Sequence, residues 1–291
     1  MTMQIVINGL IAGLSLGLLA IGFSLIYSTA RILHIAHAAT YLVGAYVGVM
    51  LVRYCGAPQV VAGIGASLAG VALGLIIEVC VYRPLRRLSS PPLIFFLSSL
   101  AVVVVIQNLI GLIVGSEIQV ARAFVEDSLQ VVGARITLWQ IISSAVAISL
   151  FVTVWGVTRF THLGRKIRAV ASDPELAIVV GINRESILLS TMCAGSALAG
   201  VSGFLIAYET AITPTGSFRI LLVGITAAIV GGLGSVWGAM LGGVLIGVTQ
   251  HFGTWKLPAQ WQDAIVFIIL ILFLLFRPQG FGGKRLRKSS I

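Results

Sequence analysis

Two histidines near the start of the chain, His34 and His37, have the spacing that most readily suggests chemistry. Three positions apart on a helix, their rings would share one face and could bind a metal ion. No third ligand follows nearby, and the sequence contains no His-Glu-x-x-His motif. The cysteines, Cys55, Cys80 and Cys193, are far apart and form no Cys-x-x-Cys pair. We therefore expect neither a metal site nor a disulfide framework.

Nucleotide chemistry is not indicated either. A phosphate-binding loop of the type Gly-x-x-x-x-Gly-Lys-Ser/Thr needs a hydroxyl residue after its lysine, whereas the one Gly-Lys pair, Gly283–Lys284, precedes Arg285. The apolar segments are almost free of ionisable groups, apart from Glu78, which is close enough to Arg83 in the chain that we expect it to reach the cytoplasmic interface. This scarcity excludes a membrane protease with paired acids and argues against an ion-driven carrier, which usually holds acids at membrane depth. We expect no catalytic residue and no cofactor on this chain.

Composition decides the class of protein. Hydrophobic residues make up 58% of the 291 residues and charged residues only 10%, whereas a soluble domain carries about 25% charged residues. The chain therefore lacks the polar surface needed to face water on all sides. We expect an all-α, polytopic helical integral membrane protein that forms a single domain over residues 1–291.

Apolar runs recur at a length that suits membrane crossing, because a helix needs about 20 residues to cross a hydrocarbon core of about 30 Å. The runs lie at 3–27, 38–52, 58–82, 92–115, 138–158, 187–208, 220–252 and 263–276. The run 220–252 is too long for one crossing, and its glycine-rich middle, 231–235, predicts a break. We therefore expect eight or nine membrane segments, including a bent or re-entrant hairpin whose break is covered by protein or lines a cavity.

Lysine and arginine predict the orientation, since they collect in cytoplasmic loops. Fourteen of the 19 fall on one side of the expected topology: Arg31, Arg83, Arg86, Arg87, Arg159, Arg165, Lys166, Arg168, Arg184, Arg277, Lys284, Arg285, Arg287 and Lys288. The N-terminus is then outside, and the C-terminus and the loop at about 159–186 are cytoplasmic. The net charge of +10 fits contact with anionic membrane lipid and gives no reason to expect nucleic acid as a partner.

The cytoplasmic loop contains residues that typically begin and end a helix, and they predict a short helix over 174–180. Asp173 suits the N-cap, Pro174 the first position and Glu175 the first turn, where an acid meets the positive end of the helix dipole. Gly181 suits the left-handed position after the helix, and Asn183 can cap the next one.

This helix would expose Leu176, Val179 and Val180 on roughly one side. Two interpretations remain open at this point. The segment could lie on lipid headgroups, or it could dock another protein in water. Its two acids gain nothing from an anionic membrane surface, which favours the second interpretation.

The same loop resembles the "EAA" coupling loop of bacterial ATP-driven (ABC) importer permeases, above all the family for branched-chain amino acids. The matching residues are Gly164, Arg168, Ala169, Asp173, Ala177, Gly181 and Ile182. Further stretches in the same order resemble this family over most of the chain: NGLIAG at 8–13, YLVGAY at 41–46, YRPLRR at 82–87, GSALAGVSGFL at 195–205, GGLGSVWGAMLGGVLIG at 231–247 and LLFRPQGFGG at 274–283. One departure lies at 34–38, where His-Ile-Ala-His-Ala replaces the family's frequent Asn-Phe-Ala-His-Gly.

The resemblance implies a permease subunit of the bacterial inner membrane that forms half of a path for branched-chain or other hydrophobic amino acids. Its expected partners are a second permease, two cytoplasmic ATPase subunits that bind ATP and Mg, and an extracytoplasmic solute-binding protein. The residues expected to couple the permease to the ATPase are Gly164, Arg168, Ala169, Asp173, Glu175, Ala177 and Gly181. Polar candidates for the solute path are Ser28, His37, Gln107, Asn108 and Thr226. An ion-coupled carrier, or a related permease for urea or small aromatic acids, remains an alternative.

Overall fold

Helices dominate the computed structural model, which describes residues 2–121, 128–131 and 134–282. The α-helices are α1 (Thr2–Ala30), α2 (His37–Cys55), α3 (Gln59–Ile77), α4 (Arg83–Arg87), α5 (Pro92–Val114), α6 (Leu138–Phe160), α7 (His162–Ser172), α8 (Pro174–Val179), α9 (Arg184–Glu209), α10 (Gly216–Gly231), α11 (Val236–Lys256) and α12 (Gln262–Phe276). A π-helical turn, Glu78–Tyr82, joins α3 to α4, and a 3-10 turn, Ala259–Trp261, precedes α12. Four cations used for the predicted orientation, Lys284, Arg285, Arg287 and Lys288, lie outside the described residues, as does Gly283.

The all-α expectation misses one feature. Strands β1 (Ser128–Val131) and β2 (Ala134–Thr137) form an antiparallel hairpin between α5 and α6. The Gln4 side chain of α1 binds the backbone of this hairpin, donating to Arg135 O at 2.8 Å and accepting from Arg135 N at 2.7 Å. The hairpin thus closes the end of the bundle at which α1 begins.

Among the described residues, six helices are long and apolar enough to cross a membrane. They are Thr2–Ala30, His37–Cys55, Gln59–Arg87, Pro92–Val114, Leu138–Phe160 and Arg184–Glu209. Two apolar helices, α10 and α12, are shorter, at 16 and 15 residues. The structure therefore establishes a polytopic helical protein but does not confirm eight or nine crossings.

Helices α1 and α9 form the centre of the bundle, and glycines let their neighbours approach closely. A Cβ added at Gly200 of α9 would lie 2.3 Å from Ala66 O of α3, and one at Gly44 of α2 would lie 2.3 Å from Gly200 Cα. On the other side, a Cβ at Gly13 of α1 would lie 2.7 Å from Val244 Cα of α11. Without a hydrophobic drive between helices in lipid, such close backbone packing stabilises the bundle.

The predicted break in the run 220–252 is confirmed. Helix α10 ends at Gly231, and α11 begins five residues later. Gly232 and Gly234 have φ of +101° and +87° in the connection, a region that side chains other than glycine rarely adopt. The Ser24 hydroxyl of α1 accepts a hydrogen bond from Gly234 N at 2.8 Å, and Ser235 caps α11.

The segment after α12 folds back onto this break. Phe281 N donates to Val230 O at 3.0 Å, and Gly282 N donates to Gly231 O at 2.8 Å. These bonds satisfy carbonyls at the end of α10 that have no partner within the helix. A Cβ at Gly280 would lie 2.4 Å from Gly232 N, so the return of the chain requires glycine there. The break is therefore held from two sides.

Candidate functional site

The segment between α6 and α9 holds all the residues expected to couple the permease to an ATPase. Its first helix, α7, turns directly out of α6. Thr161 caps α7 by accepting from Gly164 N at 3.2 Å, and a Cβ at Gly164 would lie 2.3 Å from Thr158 O. The Arg168 guanidinium donates to the same Thr158 carbonyl. Gly164 and Arg168 therefore fix α7 against the last turn of α6.

The start of α8 has the predicted cap. Asp173 Oδ1 accepts hydrogen bonds from Glu175 N and Leu176 N, both at 3.0 Å, and Pro174 occupies the first turn. Because α8 is only six residues long, it is too short to be stable on its own. Its caps and packing must hold it.

The end of α8 has the predicted left-handed glycine. Gly181 has φ +82°; its N–H donates to Ile178 O at 3.0 Å, and Ile182 N donates to Ala177 O at 2.9 Å. This pair of bonds is a Schellman motif, which satisfies the carbonyls at a helix end. The next helix also begins as predicted, since Asn183 Oδ1 accepts from Ser186 N at 3.1 Å.

One side of the segment is anchored in the bundle. Ile167 and Val170 of α7 and Ala177 of α8 are buried against Leu25 of α1 and Ile187 of α9. Ala169 is half-buried at the edge of this cluster. Any force on α7 and α8 therefore reaches the two central helices through direct packing.

The opposite side of α8 is apolar and exposed. Leu176 is 59% exposed, Ile178 54%, Val179 81% and Val180 65%. We call these four residues the exposed α8 face. In the described part of the chain, no other side chain covers it, although burying it would be favourable by about 25 cal/mol for each Å² of apolar area.

Polar contacts also tie the segment to the neighbouring helix ends. Arg31, just after α1, donates to Ala171 O of α7 at 2.5 Å. Glu185 in the first turn of α9 pairs with Arg86 of α4 at 3.2 Å, and Arg86 also pairs with the buried Glu78. Arg83 lies 3.8 Å from the same Glu185.

The candidates for the solute path occupy separate places. His37 and Thr226 are buried, on α2 and α10. His37 Nε2 lies 3.2 Å from Leu19 O, while its Nδ1 has no partner.

The other three path candidates are more accessible. Ser28 donates to a carbonyl of its own helix and lies beside Gly234 of the α10–α11 break. Gln107 of α5 donates to Ser217 Oγ at the start of α10, at 3.1 Å. Asn108 is exposed and donates only to a carbonyl of its own helix. The five candidates therefore do not form one cluster of side chains.

A buried polar pair next to His37 was missed by sequence reasoning. His34 Nδ1 lies 2.7 Å from the Tyr82 hydroxyl, in the π-helical turn after α3. Burial holds the pKa of His34 well below its usual range, and the neighbouring His37 lowers it further. The hydrogen bond between the neutral His34 ring and Tyr82 holds the α1–α2 connection against the end of α3. Over the described ranges, no group of three or more His, Cys, Asp or Glu is placed to hold a metal ion.

The apolar helices and the capped segment that projects from them define a multi-pass integral membrane protein. The family model described as "Branched-chain amino acid transport system / permease component" matches residues 5–274. The chain therefore belongs to this family of permease components, and membership does not favour an ion-coupled carrier.

Individual relatives are similar in sequence to this chain over nearly their full length. The chain is 32% identical to the high-affinity branched-chain amino acid transport system permease protein LivH of Escherichia coli (strain K12), with 97% of this chain and 96% of LivH covered. It is 33% identical to the corresponding permease protein BraD of Pseudomonas aeruginosa, with the same coverage. Among solved structures, a chain of PsaBC from Streptococcus pneumoniae in complex with Fab is similar at a TM-score of 0.54 and 14% identity. This match covers 94% of this chain and 91% of that one and shows a shared fold.

Proposed function

We propose that this chain is one of two permeases in an ATP-driven importer and that the exposed α8 face docks a cytoplasmic ATPase. ATP and Mg would bind the two ATPase subunits, and this chain would carry the solute path and no catalysis. A solute-binding protein would deliver the solute from outside. Closure of the ATPases would then move α7 and α8, and with them the central helices.

The single observation that carries this proposal is that α8 is buried on one side and exposed on the other. One side is buried against α1 and α9, while the other leaves four apolar side chains exposed. A helix lying on lipid headgroups would instead bury its apolar side in the membrane and face water with its charges. Here one side already packs on protein, and the other is exposed beside the acids Asp173 and Glu175, which supports docking on a further protein surface.

A topology of nine segments fits this arrangement. The six long helices and α12 make seven crossings, while the two arms α10 and α11 enter and leave the membrane on the same side, so the N-terminus is outside and the C-terminus inside. At about 1.5 Å per residue, the 16 residues of α10 span about 24 Å, less than a hydrocarbon core of about 30 Å. The α10–α11 break would therefore lie within the membrane, near the inner end of α1.

The proposed solutes are branched-chain and other hydrophobic amino acids, the class named for LivH and BraD. A path almost free of buried charge suits a solute that is neutral overall. The partial charges at the ends of α10 and α11 could accommodate its ammonium and carboxylate groups. Urea or small aromatic acids are the alternative, because the stretch 34–38 departs from the family pattern.

The test is purification in mild detergent followed by uptake in reconstituted vesicles with and without ATP. An importer permease should co-purify with an ATP-binding protein and take up leucine, isoleucine or valine only with ATP. Uptake by the chain alone under an ion gradient would contradict the proposal. Binding measurements on the cognate extracytoplasmic protein, with urea and aromatic acids as competitors, would define the solute.

A further inference from the structure

Arg31 follows α1 in a backbone conformation that favours glycine. Its N–H donates to Tyr27 O at 3.0 Å, which continues the hydrogen bonds of α1, but its φ is +56°. Residues with a side chain rarely adopt this left-handed conformation, and glycine is the usual choice just after a helix. An arginine in this position therefore indicates that its side chain has a role that glycine could not fill.

The Arg31 side chain contacts the turn between α7 and α8. Its guanidinium donates to Ala171 O at 2.5 Å, across 140 positions of sequence. Ala171 lies in the last turn of α7, where carbonyls have no partner within the helix and the helix dipole favours a cation. We call residues 171–173 the α7–α8 corner. Over the described ranges, Arg31 makes the one side-chain hydrogen bond between the end of α1 and this corner.

The last turns of α1 also bind two other elements. The buried Thr29 hydroxyl lies 2.9 Å from the Thr191 hydroxyl of α9, and Ser24 accepts the hydrogen bond from Gly234 N in the α10–α11 break. Arg31 follows Ser24 by seven positions, which is about 10 Å along the helix axis. A displacement of the corner that pulls on Arg31 therefore reaches both α9 and the break through one short stretch of helix.

We propose that Arg31 is a positioning residue that transmits movement of the α7–α8 corner to the inner end of α1, and from there to the α10–α11 break. The inference rests on the proposed docking of an ATPase to α8. Packing of Ile167 and Val170 on Leu25 also holds α7 against α1, but apolar packing is not directional. The hydrogen bond of Arg31 is directional and fixes the corner itself.

The test replaces Arg31 by glycine, which suits a φ of +56° and removes only the side chain. Leucine uptake and ATP hydrolysis are measured together in vesicles that contain the assembled importer. We expect normal co-purification of the ATPase and continued hydrolysis. The leucine taken up per ATP should fall by about tenfold, the factor that corresponds to the weaker hydrogen bonds from charged donors. Arg31→Lys, which keeps a charged donor, should recover part of this loss, and Arg31→Gln should repeat the effect of glycine.

Two controls separate this role from effects of backbone and charge. Ser89, between α4 and α5, is also exposed and has φ +51°, so Ser89→Gly makes the same backbone change at a second site. Arg87 is exposed and has no hydrogen bond or ion pair in the described part of the chain, so Arg87→Gln removes a charge alone. Both variants should keep the wild-type ratio of leucine to ATP.

Each outcome decides the inference. A wild-type ratio in Arg31→Gly, or an equal loss in either control, would overturn the role of Arg31 and leave docking of the ATPase standing. Loss of co-purification in both Arg31→Gly and Arg31→Gln would assign Arg31 to assembly, which also contradicts transmission. If the wild-type chain neither co-purifies with an ATPase nor uses ATP for uptake, the proposed function itself fails.

Discussion

Replacing Val179 by aspartate tests the docking role of α8 with little effect on the permease itself. Val179 is the most exposed residue of the exposed α8 face, at 81%. Surface substitutions of this kind usually change the free energy of unfolding by less than about 0.5 kcal/mol. Val179→Asp should therefore reach the membrane in normal amounts.

The expected effect on docking follows from the exposed fraction. Complete burial of a valine side chain contributes about 1.5–3 kcal/mol. Burying the exposed 81% against an ATPase would thus contribute about 1.2–2.4 kcal/mol, which corresponds to roughly 8- to 60-fold in affinity. This is a lower limit, because a docked aspartate would also lose its hydration.

The assay compares co-purification of the ATPase and ATP-driven leucine uptake in reconstituted vesicles. The control is Leu88→Asp, because Leu88 is 76% exposed and lies between α4 and α5, on the same side in the proposed topology. Val179→Asp should reduce both readouts by about tenfold or more, and Leu88→Asp should leave them nearly unchanged. Equal behaviour of the two variants would refute docking through α8.

Three further substitutions test how the segment and the bundle are held. Gly181→Asp should cost about 1–2 kcal/mol of α8 stability, because φ is +82° and residues with a Cβ rarely adopt this conformation. The added Cβ would clash with nothing, since no atom lies within 4 Å of it. The protein should insert normally but lose ATP-coupled uptake in vesicles. Gly200→Val should lower the melting temperature in detergent by several degrees, since its Cβ would lie 2.3 Å from a backbone oxygen, whereas Gly156→Val on α6, with open space around it, should not. Glu78→Gln should lower stability by about 1–3 kcal/mol, because it leaves a partly buried guanidinium with a weaker partner; an unchanged melting temperature would count against this pair.

Local chemistry made much of the α8 segment predictable. Asp173, Gly181 and Asn183 act on backbone groups within a few residues of themselves, so their roles can be deduced from a short window of sequence. The break near Gly234 is predictable for the same reason. These features are all present in the structure.

Contacts between distant parts of the chain were not predictable in this way. The return of Phe281 and Gly282 onto the end of α10, and the bond between His34 and Tyr82, join residues about 50 positions apart. The extent of α7, with Gly164 pressed against α6, depends on the direction in which the chain leaves a membrane helix. The solute-path candidates were chosen by polarity alone, and polarity does not determine which face of a helix they occupy.

Thiol labelling can determine the side of the membrane on which α8 lies. Val179→Cys would be introduced into a chain whose own Cys55, Cys80 and Cys193 are replaced by alanine, and treated with a membrane-impermeant maleimide. We expect labelling in inverted membrane vesicles, protection when the ATPase is bound, and no labelling in intact cells. Labelling in intact cells, or equal labelling with and without the ATPase, would contradict a cytoplasmic α8 that docks the ATPase.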